Sequence, residues 1–111
     1  MRRFFRTPSV PILQADPMRG GLTELRKIAA VAETWGLTIA PHCFHELMVH
    51  LNASIPNANY REYMNYNDDL WIEPAIPIKG MLKPLEHPGQ GLRFKPELLI
   101  EHKIGGFETA A

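Results

Sequence analysis

The sequence predicts an α/β fold in which parallel strands are joined by helices, and three observations predict it. Residues 10–55 alternate short apolar runs with stretches of helical period, in the order strand, helix, strand, helix. Turn-forming or helix-stopping residues bound each run, at Gly20-Gly21, Gly36, Pro41 and Pro56. The 111 residues, 45% hydrophobic and 22% charged, suffice for one small domain. They are too few for a closed eight-unit barrel, which takes roughly 200–250 residues or more. Alternation of this kind implies parallel strands connected by a right-handed crossover.

The first strand is Val10-Pro11-Ile12-Leu13-Gln14-Ala15, an apolar run weakened at its start by Pro11 and ended by Asp16. After the Gly20-Gly21 turn, Thr23 is the expected N-cap of a helix, with Glu24 in its first turn. Leu25, Ile28, Ala29, Ala32 and Trp35 make its apolar stripe, and Gly36 supplies the residue that stops it. Leu37 to Ala40 forms the second strand, ended by Pro41-His42. A second helix is expected from about Phe44 to Ile55, burying Leu47, Met48, Leu51, Ser54 and Ile55, with Pro56 ending it.

Residues 58–111 have a different texture. Tyr60 to Tyr66 reads as one extended piece, and Asn67-Asp68-Asp69 as loop. Trp71 to Ile78 alternates imperfectly around Pro74 and Pro77, which confines it to an edge strand. Lys79-Gly80 and Pro88-Gly89 are turns, and Pro96 to His102 a short helix.

Composition narrows the function. The formal net charge is zero, whereas general polyanion and nucleic-acid binders carry a basic excess. The sequence has no apolar run of membrane-spanning length. Arg2-Arg3 before Phe4-Phe5 is not followed by the apolar core of an export signal. The single cysteine, Cys43, precludes an intrachain disulfide and fits a reducing compartment, so a cytoplasmic location is expected. Asn52-Ala53-Ser54 matches the glycosylation sequon but lies inside a helical pattern.

Two polar residues occupy matching places, Asp16 just past the first strand and His42 just past the second. Neighbouring parallel strands would bring both to the carboxyl edge of the sheet, where α/β folds place their sites. There the Asp16 carboxylate could hold the His42 ring in one tautomer, leaving its other nitrogen for proton transfer. The bland alternative is that Asp16 caps a turn and His42 is a loop histidine. His45-Glu46-Leu47-Met48-Val49-His50 resembles a zinc-protease helix, but its second histidine falls at i+5 instead of i+4. The two rings would diverge by about 140°, so a shared metal is not expected, and the bland reading is a histidine that is solvated or supports a neighbouring group. Gly20-Gly21 lacks the rest of a phosphate loop. Cys43 beside His42 suggests a thiolate pair, which strand alternation would point apart. Glu62, alone, reads as a surface carboxylate.

Certain runs carry a family resemblance. They are Leu13-Gln14-Ala15-Asp16, Gly20-Gly21-Leu22-Thr23-Glu24, Lys27 to Glu33, Ala40-Pro41-His42, Glu46, His50-Leu51, Ile55-Pro56-Asn57, Glu62, Glu73-Pro74, Lys79-Gly80 and His87 to Leu92. Together they resemble the mandelate racemase/muconate lactonizing enzyme family of the enolase superfamily. The resemblance implies the carboxyl-terminal part of that family's (β/α) barrel. Residues 10–57 would be its seventh and eighth strand–helix units, and 58–111 a tail returning to the cap.

By the same resemblance Asp16 and His42 match the family's acid/base dyad, and Glu62 a carboxyl group that contacts the substrate. The implied chemistry is removal of a proton α to a carboxylate, with Mg²⁺ stabilising the enediolate. The implied substrate is a small carboxylate or sugar acid, and family members are usually homo-oligomers. Pro41-His42 and His50-Leu51 look more like the acid-sugar dehydratase branch than the racemases. The family's metal ligands lie on its third to fifth strands and its opposing Lys on the second, so both are expected to be absent from this chain. Met1 to Ser9 does not resemble the helix expected before the seventh strand, and the Asp16–Gly20 interval is one residue short. A carboxyl-terminal fragment of a longer enzyme is therefore expected, inactive alone. The alternatives are a catalytically silent α/β interaction module and a racemase or cycloisomerase of the same family.

Overall fold

The structure, a computed structural model, describes residues 10–106. The atypical segment 1–9 and its Arg pair lie outside them. Strand β1 (Ile12–Leu13) is followed by helix α1 (Pro17–Thr34), strand β2 (Thr38–Ile39) and helix α2 (His45–Ser54). The two strands pair in parallel, Ile12 with Thr38 and Leu13 with Ile39, so the expected α/β order stands. The strands are shorter than the apolar runs, yet the ladder extends past them. The amides of Thr38, Ala40 and His42 donate to the carbonyls of Pro11, Leu13 and Ala15 at 3.0–3.1 Å.

Helix α1 begins earlier than Thr23. Asp16 is its N-cap, its Oδ1 accepting from the Met18 amide at 2.8 Å, and Pro17 supplies a helical φ at the first position. Gly20-Gly21 breaks the helical path where a turn is expected: Gly21 sits at φ 65°, and a short first piece and a longer second one meet there across a kink. The far end is as expected. Gly36 has φ 67°, its amide reaches the Glu33 carbonyl at 3.0 Å, and the Leu37 amide reaches that of Ala32 at 2.9 Å. This is a Schellman closure that satisfies two terminal carbonyls. Trp35 leaves the apolar stripe because it is the C-cap, outside helical geometry, and it is 55% exposed.

The core lies between the strands and the helices. Leu13, Ala29, Ala32 and Ile39 form one cluster, Ala15, Leu25, Met48 and Leu51 a second, and Ile28 and Ile55 bridge them. Each large side chain fully buried here contributes about 1.5–3 kcal/mol. Helix α2 buries more than the one stripe expected: His45, Glu46 and Val49 join Met48 and Leu51, while Ser54 is exposed. Its second face is covered by the tail. The Tyr63 ring meets the His45 ring edge-on at 4.5 Å, and Asn67 Nδ2 donates to Glu46 Oε1 at 3.2 Å.

The tail first meets the other edge of β2 through one backbone bond. Alternate amides of β2 point to β1, and the one between them, Ile39, donates to the Asn57 carbonyl at 2.8 Å. Successive strand amides point to opposite sides, so the residues around Asn57 lie at the other edge of β2. The Asn57 side chain ties them in by donating to the Ala29 and Leu37 carbonyls, each at 3.0 Å. Asn65–Leu70, in part expected as loop, is a 3-10 helix. The expected edge strand Trp71–Ile78 survives only as isolated bridges at its ends, Trp71 with Phe94 and Ile78 with Met81. Pro74 and Pro77 leave it without the donors a ladder needs. Lys79 and Gly80, at φ 52° and 77°, form the tight turn between Ile78 and Met81. Helix α3 spans Pro96–Glu101. Among the described residues no helix is long and apolar enough to cross a membrane.

Candidate functional site

The site lies where β2 ends. The β1–β2 register is offset by twenty-six residues, which carries Asp16 opposite His42 at the carboxyl edge. The ladder's last bond, from the His42 amide to the Ala15 carbonyl, fixes His42 there. The chain then turns sharply, Cys43 and Phe44 both taking left-handed conformations at φ 49° and 46°. Two such residues in succession break the strand alternation. The Cys43 side chain therefore falls beside that of His42 instead of opposite it, and Sγ lies 3.1 Å from His42 Nε2. The sequence expectation that the two point apart is thus corrected.

The other ring nitrogen belongs to Glu62. Oε2 of Glu62 lies 2.7 Å from His42 Nδ1 and accepts from the Cys43 amide at 2.8 Å. The Cys43 amide, followed by the His42 ring, holds the Glu62 carboxyl below its ordinary value of 4.5 despite the opposing effect of burial. An ionised carboxylate only accepts, so Nδ1 carries a proton. In the neutral ring Nε2 is then an acceptor facing the thiol. Burial raises the Cys43 thiol above its ordinary 9.0, and the charges of Glu62 and Asp16 raise it further, which keeps it protonated at neutral pH. Met64 Sδ, 3.3 Å from Cys43 Sγ, is a second acceptor for the thiol.

Asp16 is not the ring's partner. Its Oδ1 caps α1, and Glu62 and Cys43 engage the two nitrogens of His42. The bland alternative for Asp16 therefore describes its hydrogen bonding, and the expected Asp16–His42 bond is replaced by Glu62–His42. Asp16 still acts on the cluster through its charge at Cys43. Arg61 completes the surroundings, its Nη1 donating to the carbonyl of buried Pro41. Burial lowers the Arg61 guanidinium to about 10, so it stays cationic at neutral pH.

The two histidines of the zinc-protease-like helix have separate partners. The His50 ring meets the Gln90 carbonyl at 3.0 Å. His45 is fully buried, with Glu46 and Asp68 oxygens each 3.4 Å from its nitrogens.

Sequence reasoning singled out His42 and Glu62 but missed Arg61 and set Cys43 aside. Neither Cys43 nor Phe44 is a residue type that advertises a left-handed backbone, so the turn that rescues Cys43 left no mark in the pattern. Ligand atoms of His42, Cys43 and Glu62 lie within 4.8 Å of one another. One nitrogen, one sulfur and one oxygen do not suit Mg²⁺, which takes oxygen ligands in near-octahedral geometry. The residues of this site therefore do not fit the metal that the resemblance implies.

Comparison with known proteins is consistent with this geometry. A family model described as "Enolase C-terminal domain-like" matches residues 1–98. The 3,6-anhydro-alpha-L-galactonate cycloisomerase of Streptomyces coelicolor is 34% identical over 87 residues, covering 78% of this chain and 24% of that protein. The crystal structure of L-talarate dehydratase from Polaromonas sp. JS666, complexed with Mg and L-glucarate, superposes with a TM-score of 0.79 at 32% identity. That match covers 89% of this chain and 28% of the other. Rhamnonate dehydratase from Gibberella zeae, complexed with Mg, gives a TM-score of 0.80 at 34% identity, over 90% and 28%. The chain spans about a quarter of the length of these relatives.

Proposed function

This chain belongs to the enolase C-terminal domain-like family, and from that premise we propose that it supplies the acid/base side of a site that removes a proton α to a carboxylate. The substrate class is a sugar acid and the reaction a dehydration. The observation that carries this reading is the contact between Glu62 Oε2 and His42 Nδ1 at 2.7 Å, at the carboxyl end of β2.

The chemistry follows from the tautomer. Glu62 holds the proton on Nδ1 and leaves the Nε2 lone pair to accept one. A substrate α-proton would take the position now occupied by the Cys43 thiol, so Cys43 must swing aside for the ring to act. The imidazolium formed is stabilised by Glu62 directly and by the Asp16 charge at longer range. In dehydration the electron pair left at the α-carbon forms the double bond as the β-hydroxyl departs, and a proton delivered to that oxygen makes it water. Glu62, implied by resemblance to touch the substrate, acts in this reading first as the group that orients the base.

Similarity to talarate and rhamnonate dehydratases at 32% and 34% identity supports the dehydratase reading. The cycloisomerase relative supports a second reading, an isomerisation in which loss of the α-proton opens the ether ring of an anhydro sugar acid. Both would use the same ring nitrogen.

The test is a chimera in which this chain replaces the matching part of the Polaromonas enzyme. The folded, Mg-loaded chimera should dehydrate L-talarate, and His42→Asn should reduce turnover by a factor of about 10² or more. A well-folded chimera in which His42→Asn leaves turnover intact would overturn the proposal.

A further inference from the structure

Arg61 and Glu62 are consecutive, and together they close on three consecutive residues just past β2. Glu62 Oε2 meets His42 Nδ1 at 2.7 Å and takes the Cys43 amide at 2.8 Å. Arg61 Nη1 donates to the Pro41 carbonyl. We propose that Arg61 is a positioning residue for the base: it pins the peptide that joins Pro41 to His42, and so keeps the His42 ring on the Glu62 carboxylate. The proposal rests on the reading of His42 as that base.

One peptide plane is held from both sides. Its amide end, on His42, donates to the Ala15 carbonyl at 3.0 Å. Its carbonyl end, on Pro41, accepts from Arg61. A peptide is planar and resists twisting, so bonds at its two ends leave it little freedom to turn about the chain. The plane contains the His42 Cα, from which the ring departs. Without Arg61 it would hinge on the Ala15 contact alone. Pro41 is itself buried, so its carbonyl would lose a partner instead of exchanging it for water.

The Arg61–Glu62 pair is in turn held on both flanks. Asn52 Nδ2 of α2 donates to the Tyr60 carbonyl at 2.9 Å, and the Tyr63 and His45 ring centroids lie 4.5 Å apart. Those contacts fix the path of residues 60–63. The register of the pair against residues 41–43 is left to Arg61 and Glu62 themselves. Charge fits the same role. Burial lowers the Arg61 guanidinium while the carboxylates of Glu62 and Glu46 oppose that, so the cation sits among the acids nearest the ring. Its Nε and Nη2 are buried without a hydrogen-bond partner among the described residues. A single hydrogen bond does not offset a guanidinium buried in this way; attraction to the neighbouring carboxylates adds to it.

The experiment is nitrogen NMR of the isotopically labelled full chain, which reads the His42 ring and the Arg61 side chain without substrate. With the ring neutral, His42 should be one tautomer, protonated at Nδ1. Arg61→Met should mix the two tautomers and draw the Nδ1 and Nε2 resonances together. Arg61→Lys, which keeps a cationic donor, should recover most of that change. Circular dichroism checks that each variant keeps its fold; a merely structural Arg61 would alter the melting point and leave the tautomer alone. In the Mg-loaded chimera, Arg61→Met should lower kcat about tenfold or more with KM little changed. A single Nδ1 tautomer persisting in folded Arg61→Met overturns the proposal. So does one averaged Nη resonance for Arg61 in the unsubstituted chain, because a bond from Nη1 alone makes the two Nη groups differ. That reading decides the matter even if Arg61→Met does not fold. An inactive chimera with Arg61 intact is a failure of the base reading, whereas a persisting tautomer is a failure of Arg61 alone.

Discussion

Glu62 holds two consecutive residues of the turn between β2 and α2 with a single oxygen, taking both the Cys43 amide and the His42 ring. Its carboxyl is held below 4.5 in the folded chain. A depressed carboxyl stabilises the fold above its unfolded value, and that contribution is lost as pH falls through the folded value. Melting temperature should therefore drop as pH is lowered from about 4.5, and Glu62→Gln should flatten that acid limb; an unaltered limb would show that Glu62 is not the group. Asp16 separates two roles by substitution. Asp16→Ala removes the α1 cap and should cost about 1 kcal/mol, whereas Asp16→Asn, an equally good cap, should cost little. Equal losses in urea unfolding would exclude capping as its structural role. At this scale His42 was legible because a strand end followed by Pro-His places it, and Glu62 only through family resemblance. The hydrogen bond of Asp16 was not legible, because a residue that ends a strand also begins a helix, and here its Oδ1 takes the Met18 amide as the cap.

At the level of elements, spacing revealed α1 and the stop at Gly36 because both depend on local chemistry. Replacing Gly36 by Ala would force a β-carbon into left-handed backbone at φ 67°, at a cost of roughly 1–2 kcal/mol. Thermal unfolding would register this, and an unchanged midpoint would mean the Schellman closure contributes nothing. Gly91→Ala should be worse. It combines φ 78° with a new β-carbon 2.6 Å from Leu85 Cβ. Helix α2 shows why a single stripe under-reads burial. His45, Glu46 and Val49 are covered by segments distant in sequence, and no helical period encodes what a tail will cover. The Trp71–Ile78 segment fails as a strand for the opposite reason, since Pro74 and Pro77 forbid the ladder that its apolar alternation invites.

For the whole molecule, the Cα radius of gyration is 16.7 Å and the extents are 50 × 37 × 23 Å. A compact chain of this length has a radius of about 13 Å, so the molecule is drawn out into a slab. Ile12 in β1 is exposed, as are Ile76, Ile78, Met81 and Ile100 outside the two-stranded sheet, and a sheet this small is marginal by itself. The isolated chain should therefore be of marginal stability and self-associate in size-exclusion chromatography. A sharp, cooperative monomer would instead favour the stand-alone module. Fold class was readable because alternation and punctuation agree over residues 10–55. The tail was not, because its path is set by contacts such as Ile39 with Asn57 and not by its own period.

The central claim, that His42 oriented by Glu62 exchanges a proton α to a carboxylate, is tested most directly by solvent exchange. The folded, Mg-loaded chimera with the Polaromonas enzyme is incubated with a sugar acid in deuterated water, and deuterium at the α-carbon is followed by proton NMR. The account predicts exchange that His42→Asn abolishes and that Glu62→Gln slows, with its pH profile shifted. Exchange that persists at the same rate in His42→Asn would contradict it.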